Sequence, residues 1–92
     1  MTDSNPDKIW FVYMIETADG KLYTGISTDI ERRFRDHATG KTGARFFRTT
    51  SPVRVVWQEK QPNRSLATKR EIAIKKLSRQ QKLALIVRQP AS

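Results

Sequence analysis

Two tyrosines, an arginine and the single histidine of this chain stand at spacings that could build a site for hydrolysing a phosphodiester. Tyr13 and Tyr23 lie in two successive strand-like runs, and Arg33 and His37 follow, four residues apart. Hydrolysis of this bond needs a base that deprotonates water and positive charge that stabilises the phosphoryl oxygens. Tyrosine has an ordinary pKa of about 10, so it can be the base only where nearby positive charge or a metal lowers that pKa. Arg33 is the candidate for this charge.

Each of these residues also has a simpler interpretation. A tyrosine in a strand usually belongs to the hydrophobic core and satisfies its hydroxyl there. Arg33 has the spacing for a surface ion pair with Asp29, and a lone histidine such as His37 is often a surface residue. The four residues therefore indicate a catalytic site only if the fold brings them together.

Glu71, the last acidic residue of the chain, could complete the set. A single carboxylate, with several waters and a substrate phosphate oxygen, is compatible with a magnesium site, but one carboxylate alone does not predict it. The competing interpretation is a surface ion pair, because Glu71 and Lys75 have the i,i+4 spacing that favours pairing on a helix. Ala67, Ile74 and Leu77 form an adjoining apolar stripe, which also permits a Glu71 side chain that points partly inward, and the sequence leaves the two arrangements open.

Composition indicates a small domain with a polyanionic partner. The 92 residues suffice for one hydrophobic core, and we expect a single domain over residues 9–88 between flexible ends at 1–8 and 89–92. Lysine and arginine number 18 against nine acidic residues, and the net charge of +9 favours nucleic acid through counterion release. No cysteine is present and no segment resembles a signal peptide or a membrane span, so we expect a cytoplasmic protein with no membrane partner.

The two tyrosines depend on a hairpin formed by residues 9–15 and 21–26. A three-residue loop closed by Thr17 and Lys21, with Gly20 in the left-handed region, would place both tyrosines on one face of the sheet. A two-residue Asp-Gly turn would place them on opposite faces. The sequence permits either loop, and we choose the first because its turn chemistry and the family resemblance described below both favour it.

The other elements follow from caps and periodicity. Thr28 opens a capping box, which predicts a helix ending at about Thr39 with Gly40 as its terminator. Residues 41–51 are expected to form a short helix or an ordered loop. The alternation of Val53, Val55 and Trp57 with Arg54, Val56 and Gln58 predicts a third strand. Two further helices are predicted, one capped by Ser65 and running through Leu77, and one starting with a capping box at Ser78 and ending near Val87.

This arrangement resembles the core of the GIY-YIG nucleases. Val12-Tyr13-Met14 stands where that family has its GIY element, Tyr23-Thr24-Gly25 where it has YIG, and residues 30–37 resemble the following helix. The resemblance implies an α+β fold with a three-stranded antiparallel sheet flanked by helices. It also implies an endonuclease that hydrolyses DNA phosphodiester bonds with Mg²⁺, or another divalent cation such as Mn²⁺.

The resemblance implies a role for each matching residue. Glu71 would hold the metal, one of the two tyrosines would accept a proton from the attacking water, and Arg33 would neutralise the scissile phosphate. His37 would assist proton transfer or orient a tyrosine, and Gly25 would leave room above the sheet. The chain departs from the family where some relatives have a lysine, which is here Ile26, and at a late asparagine, whose place falls near Gln89-Pro90.

Five more basic residues are expected to track the backbone of the nucleic acid, with DNA the expected partner. They are Arg45, Arg48, Arg54, Lys69 and Lys75. The alternative function is a non-catalytic nucleic-acid-binding module that retains the same fold. A protein-interaction domain is less favoured, because it would leave the many arginines unexplained.

Overall fold

The computed structural model describes residues 9–40 and 50–89. They form a three-stranded antiparallel sheet with strand order β2-β1-β3 and three helices, which confirms the expected α+β class. Residues 41–49, which contain most of the predicted linking segment, lie outside the described residues, as do 1–8 and 90–92. The elements in chain order are β1 (Trp10–Thr17), β2 (Leu22–Ser27), α1 (Ile30–Thr39), β3 (Pro52–Gln61), α2 (Arg64–Lys75) and α3 (Arg79–Arg88).

The hairpin between β1 and β2 has the predicted three-residue loop. The backbone N–H of Thr17 donates to the carbonyl of Lys21 at 3.0 Å, and Gly20 adopts φ 82° in the left-handed region. The Lys21 N–H donates in turn to the Thr17 hydroxyl at 2.9 Å. Tyr13 consequently lies opposite Gly25, and Tyr23 lies opposite Ile15. Both tyrosines therefore project from the same face of the sheet, as predicted.

The central strand β1 is buried on both of its faces. Val12 and Met14 point to the face where Trp57, Ala67 and Ile74 form the main hydrophobic core. Because side chains alternate along a strand, Tyr13 and Ile15 point to the opposite face. Both are fully buried. A central strand covered on both sides explains the continuous apolar run in this part of the sequence.

The third strand departs from the predicted alternation. Trp57 pairs with Met14, but the next pair is Ile15 with Val55, so Val56 is an extra residue in the strand. Such a bulge reverses the side-chain alternation. Val55 and Trp57 therefore lie on opposite faces of the sheet, whereas the sequence pattern placed them on one face.

The bulge at Val56 turns the Val55 side chain towards α1. Val55 lines a groove together with Ile30 and Phe34 of α1. A second irregularity follows between Glu16 and Thr17, near Val53, whose side chain is 53% exposed. The helix α1 thus packs on the face that carries the tyrosines.

In two helices the N-cap residue differs from the predicted one. The helix α1 is capped by Asp29 rather than Thr28, because the Asp29 carboxylate accepts from the Arg32 N–H at 3.1 Å. The helix α2 is capped by Asn63 rather than Ser65. A side chain caps a helix only when its own backbone is still extended, and sequence spacing alone does not show where that happens.

The predicted end of α1 and the predicted start of α3 are confirmed. Gly40 ends α1 with φ 77° in the left-handed region. Ser78 and Gln81 form the reciprocal capping box that starts α3. The helix α2 ends at Lys75, before the predicted end at Leu77, and α3 starts afresh at Arg79. Within residues 9–40 and 50–89, no helix is both long and apolar enough to span a membrane.

Candidate active site

A cleft of about 240 Å³ gathers the candidate residues from four elements of the fold. Strand β1 contributes one residue, β2 contributes three, α1 contributes two and α2 contributes one. All six residues predicted to lie in the site line this cleft, and the seventh lining residue is Ile26. The lining residues are Tyr13, Tyr23, Gly25, Ile26, Arg33, His37 and Glu71.

Gly25 is required by the position of the Tyr13 ring, which lies directly above it. A Cβ atom at Gly25 would lie 2.7 Å from the Tyr13 hydroxyl oxygen and 2.9 Å from the Tyr13 Cζ atom. It would also lie 3.1 Å from Cε2 of Tyr23. The glycine thus gives the phenol ring room to cross the sheet towards α1.

Tyr13 and His37 form the central contact of the cleft. The Tyr13 hydroxyl and the His37 Nε2 atom are 3.2 Å apart and share a hydrogen bond whose donor depends on the histidine tautomer. Burial lowers the pKa of His37, and the charge of Arg33 lowers it further. The imidazole is therefore neutral at pH 7 and can accept a proton. Burial raises the pKa of Tyr13 above its ordinary value, with a further rise from Tyr23.

Tyr23 is more exposed than Tyr13, and its ring packs against that of His37. Its ring centroid is 5.0 Å from that of His37, in an edge-on arrangement, and 6.3 Å from that of Tyr13. Burial raises the pKa of Tyr23, while the charges of Lys75 and Arg33 oppose that rise. The two tyrosines therefore differ in burial, and Tyr13 shares the 3.2 Å hydrogen bond with His37 Nε2.

Arg33 supplies positive charge at the mouth of the cleft. Its side chain is exposed, and within residues 9–40 and 50–89 it makes no ion pair, including the alternative pair with Asp29. Its charge reaches Tyr13, Tyr23 and His37, where it shifts each pKa downward. An exposed guanidinium with no carboxylate partner is well suited to contact a phosphate.

Glu71 both lines the cleft and forms the ion pair with Lys75, the two arrangements that the sequence allowed. Its side chain is only 18% exposed and lines the cleft, and its Oε2 atom lies 3.1 Å from the Nζ atom of Lys75. The helix α2 thus turns the carboxylate inward while the i,i+4 pair is kept. The sequence offered these arrangements as alternatives, but the helix geometry permits both together.

The Glu71 carboxylate in the cleft matches a magnesium site with few protein ligands. In the described part of the chain, no group of three or more histidine, cysteine or acidic residues converges. A site that supplied every ligand from the protein is therefore absent there. Mg²⁺ keeps several of its waters and is often held by one or two carboxylates and a substrate phosphate. The largely buried Glu71 carboxylate at the wall of an open cleft fits that requirement.

The residues predicted to contact the nucleic-acid backbone differ in their position relative to the cleft. Lys75 contacts Glu71, which lines the cleft. Arg54 instead forms an ion pair with Glu16 at 2.9 Å and does not line the cleft. Lys69 is exposed on α2 and also does not line it. Arg45 and Arg48 lie outside the described residues.

Comparison with known proteins gives the chain a family. Residues 9–84 match the GIY-YIG catalytic domain. The chain belongs to the GIY-YIG family. This match places it in a nuclease superfamily and agrees with the resemblance seen in its motifs.

The GIY-YIG relatives include bacterial UPF0213 proteins. One from Desulfotalea psychrophila is 49% identical over 77 residues, which cover 84% of this chain and 70% of that protein. Another, from Cupriavidus necator, is 43% identical over 86 residues, which cover 94% of this chain and 92% of that protein. The solution NMR structure of a UPF0213 protein from Bacillus halodurans has a TM-score of 0.55 and 39% identity, and it covers 86% of this chain and 83% of that chain. The names of these relatives state no activity or metal.

Gln89 lies near the expected place of the family's late asparagine and makes a defined contact. Its side-chain carbonyl accepts from the Gln58 N–H at 3.2 Å, and its amide N–H donates to the Gln58 carbonyl. The side chain thus bonds both backbone polar groups of one residue in the edge strand β3. The residue after α3 is thereby joined to the sheet, although the sequence placed it in a flexible end.

Proposed function

We propose that this protein is an endonuclease that hydrolyses DNA phosphodiester bonds with Mg²⁺ or Mn²⁺. The observation that supports it is the single cleft that gathers Tyr13, Tyr23, Arg33, His37 and Glu71 from four separate elements. Each has a common structural role when taken alone. Their convergence at one opening is hard to explain by packing alone, because ionisable side chains seldom cluster in a partly buried cleft without a function.

The contacts favour Tyr13 and His37 as the path for the proton of the attacking water. A free tyrosinate would be unfavourable at Tyr13, because burial raises its pKa. The neutral His37 imidazole can instead receive the Tyr13 proton through their 3.2 Å hydrogen bond as Tyr13 takes one from water. Tyr13 then acts as a relay and is not ionised in the resting protein.

The positive charge for the reaction comes from Arg33 and from the divalent cation. Arg33 binds the scissile phosphate and neutralises part of the charge that develops on its oxygens. Glu71 would hold the cation, which supplies further charge stabilisation and orients the phosphate when bound. Gly25 keeps the space through which Tyr13 reaches the reacting groups.

A second candidate is a nucleic-acid-binding module that cleaves poorly or not at all. One observation favours it: the apolar Ile26 side chain lines the cleft where some family members have a lysine. An isoleucine cannot contribute positive charge to the reaction. Both candidates share the fold and the basic surface, so cleavage must separate them.

The variant Glu71→Gln tests the proposed function. It removes the charge that would hold the cation and keeps the volume of the side chain. We expect magnesium-dependent cleavage to fall by roughly a hundredfold or more, since the cation stabilises the transition state by several kcal/mol. DNA binding should persist, because loss of an acid does not weaken attraction to phosphate. Cleavage and affinity are measured on branched, flapped, single-stranded and duplex DNA with and without Mg²⁺.

Glu59→Gln is the matched control for this experiment. It makes the same change from acid to amide at a residue of β3 that pairs with Arg70 and does not line the cleft. It should cleave like the wild type. Equal cleavage by Glu71→Gln and the wild type would remove the metal role from Glu71. No cleavage by the wild type on any of these substrates would favour the binding module.

A further inference from the structure

The ion pair between Glu71 and Lys75 concerns the same carboxylate that is proposed to hold the divalent cation. Lys75 Nζ lies 3.1 Å from Glu71 Oε2, and Lys75 is 55% exposed while Glu71 is 18% exposed. The lysine therefore approaches the carboxylate from the solvent side and keeps most of its freedom to move. The glutamate is held by the inner wall of the cleft.

The positive charge of Lys75 acts on the cleft as well as on the surface of α2. Its positive charge opposes the rise in the pKa of Tyr23 that burial causes, and it is the strongest charge acting on that phenol. Lys75 therefore lies close enough to influence both Glu71 and Tyr23. Lys76, the next residue, makes no ion pair in the described part of the chain.

A divalent cation bound to Glu71 cannot tolerate an ammonium group at the same oxygen. Like charges a few ångströms apart repel strongly, and more so in a partly buried cleft than in water. A lysine with an exposed, flexible side chain can relieve this repulsion by moving into solvent. Binding of the cation then requires the loss of one ion pair.

We propose that Lys75 neutralises Glu71 in the metal-free protein and competes with the divalent cation for that carboxylate. This inference rests on the proposed function, because it takes Glu71 as the ligand of the cation. Lys75 is on this view a positioning residue that acts through Glu71. The pair prevents an unpaired, largely buried carboxylate in the absence of metal, at the cost of weaker metal binding.

The test is a titration of the whole protein with Mg²⁺ in the absence of nucleic acid. Backbone amide signals around Glu71 are followed by ¹⁵N NMR at constant ionic strength, which also shows whether each variant is folded. We expect Lys75→Met to lower the midpoint of the titration by about two- to fivefold, because a partly exposed ion pair is a modest competitor. Lys75→Arg keeps the charge and should stay close to the wild type.

Two further variants identify the source of any change. Lys76→Met removes the same charge from the neighbouring position and should leave the midpoint nearly unchanged. Glu71→Gln should abolish the saturable response near the cleft. If Lys75→Met binds Mg²⁺ like the wild type while Glu71→Gln does not bind, the competition is absent and the metal role stands. Equal shifts in Lys75→Met and Lys76→Met would show an effect of net charge and overturn the inference. A wild-type response in Glu71→Gln would overturn the metal role itself.

Discussion

The geometry of the candidate site depends on individual atoms around Gly25 and Tyr13. The hydrogen at the Gly25 α-carbon is the only substituent that leaves space for the Tyr13 ring, since a methyl carbon would approach the Tyr13 Cζ atom to 2.9 Å. Tyr13 is fully buried, so its ring has little space into which it can move. The Tyr13 ring therefore requires a glycine at position 25, and Gly25 in turn allows the ring its observed position.

We predict that Gly25→Ala destabilises the protein by about 1–3 kcal/mol, the usual cost of overpacking a core. It should reduce cleavage by about a hundredfold through displacement of the Tyr13 hydroxyl. Urea unfolding measures the first effect and single-turnover cleavage the second. An alanine variant with wild-type stability and cleavage would show that the ring moves freely, contrary to this account.

The single histidine provides a second prediction at the same scale. Burial and Arg33 lower the pKa of His37 in the folded state, so the unfolded chain binds a proton more readily. Above the unfolded pKa of about 6.5 both states are neutral and the histidine has no effect on stability. As the pH falls through that value, only the unfolded state gains the proton at first, and the free energy of unfolding decreases until the folded pKa is reached.

NMR titration of the one imidazole should therefore give a pKa below 6.5 in the folded protein and close to 6.5 in denaturant. Between pH 7.5 and 5.5 the wild type should lose more stability than His37→Asn, which has no group that titrates in this range. Parallel denaturation curves for the two proteins across that range would contradict the assigned environment of His37.

At the scale of elements, α2 must start at the right residue to turn Glu71 into the cleft. One of its free N–H groups is satisfied by Asn63, whose side-chain oxygen accepts from the Leu66 N–H at 2.9 Å. Ser65 lies inside the helix and is exposed. We predict that Asn63→Ala costs about 1 kcal/mol of stability and that Ser65→Ala changes stability by less than about 0.5 kcal/mol. Thermal unfolding of both variants measures the two changes in stability. A larger loss of stability for Ser65→Ala would show that Ser65 is the cap, as the sequence pattern predicted.

The elements also show which parts of the site the sequence could predict. The sequence permitted two hairpin loops, and the fit of Gly20 to a left-handed position, together with the family resemblance, favoured the one that is observed. That loop fixes the pairing of the strands and therefore the face from which both tyrosines project. The bulge at Val56 could not be predicted, since it depends on packing against Met14 and Ile15, which are distant in sequence. The position of Glu71 was likewise open, because a helix surface pair and an inward carboxylate give the same spacing in the sequence.

At the scale of the whole molecule, charge is distributed around the cleft and not confined to it. The chain has a net charge of +9, and among residues 9–40 and 50–89 Arg33 is the only lysine or arginine that lines the cleft. Two of the other predicted contacts, Arg54 and Lys69, are exposed outside the cleft. The substrate should therefore be attracted mainly by the surrounding surface, and the cleft should contribute chemistry more than affinity.

This distribution predicts strong salt dependence of nucleic-acid binding. Contact with about four to six phosphates gives a slope of roughly −3.6 to −5.4 when the logarithm of the binding constant is plotted against that of the salt concentration for duplex DNA. Fluorescence anisotropy titrations at several salt concentrations measure the slope. Lys69→Met should make it shallower by about one if that lysine contacts a phosphate. The cleft variant Glu71→Gln should leave it nearly unchanged, because it removes no cation from the surface. A binding constant that does not vary with salt would contradict a phosphate-tracking surface and favour a protein-interaction domain, because counterion release accompanies every phosphate that a lysine or arginine neutralises.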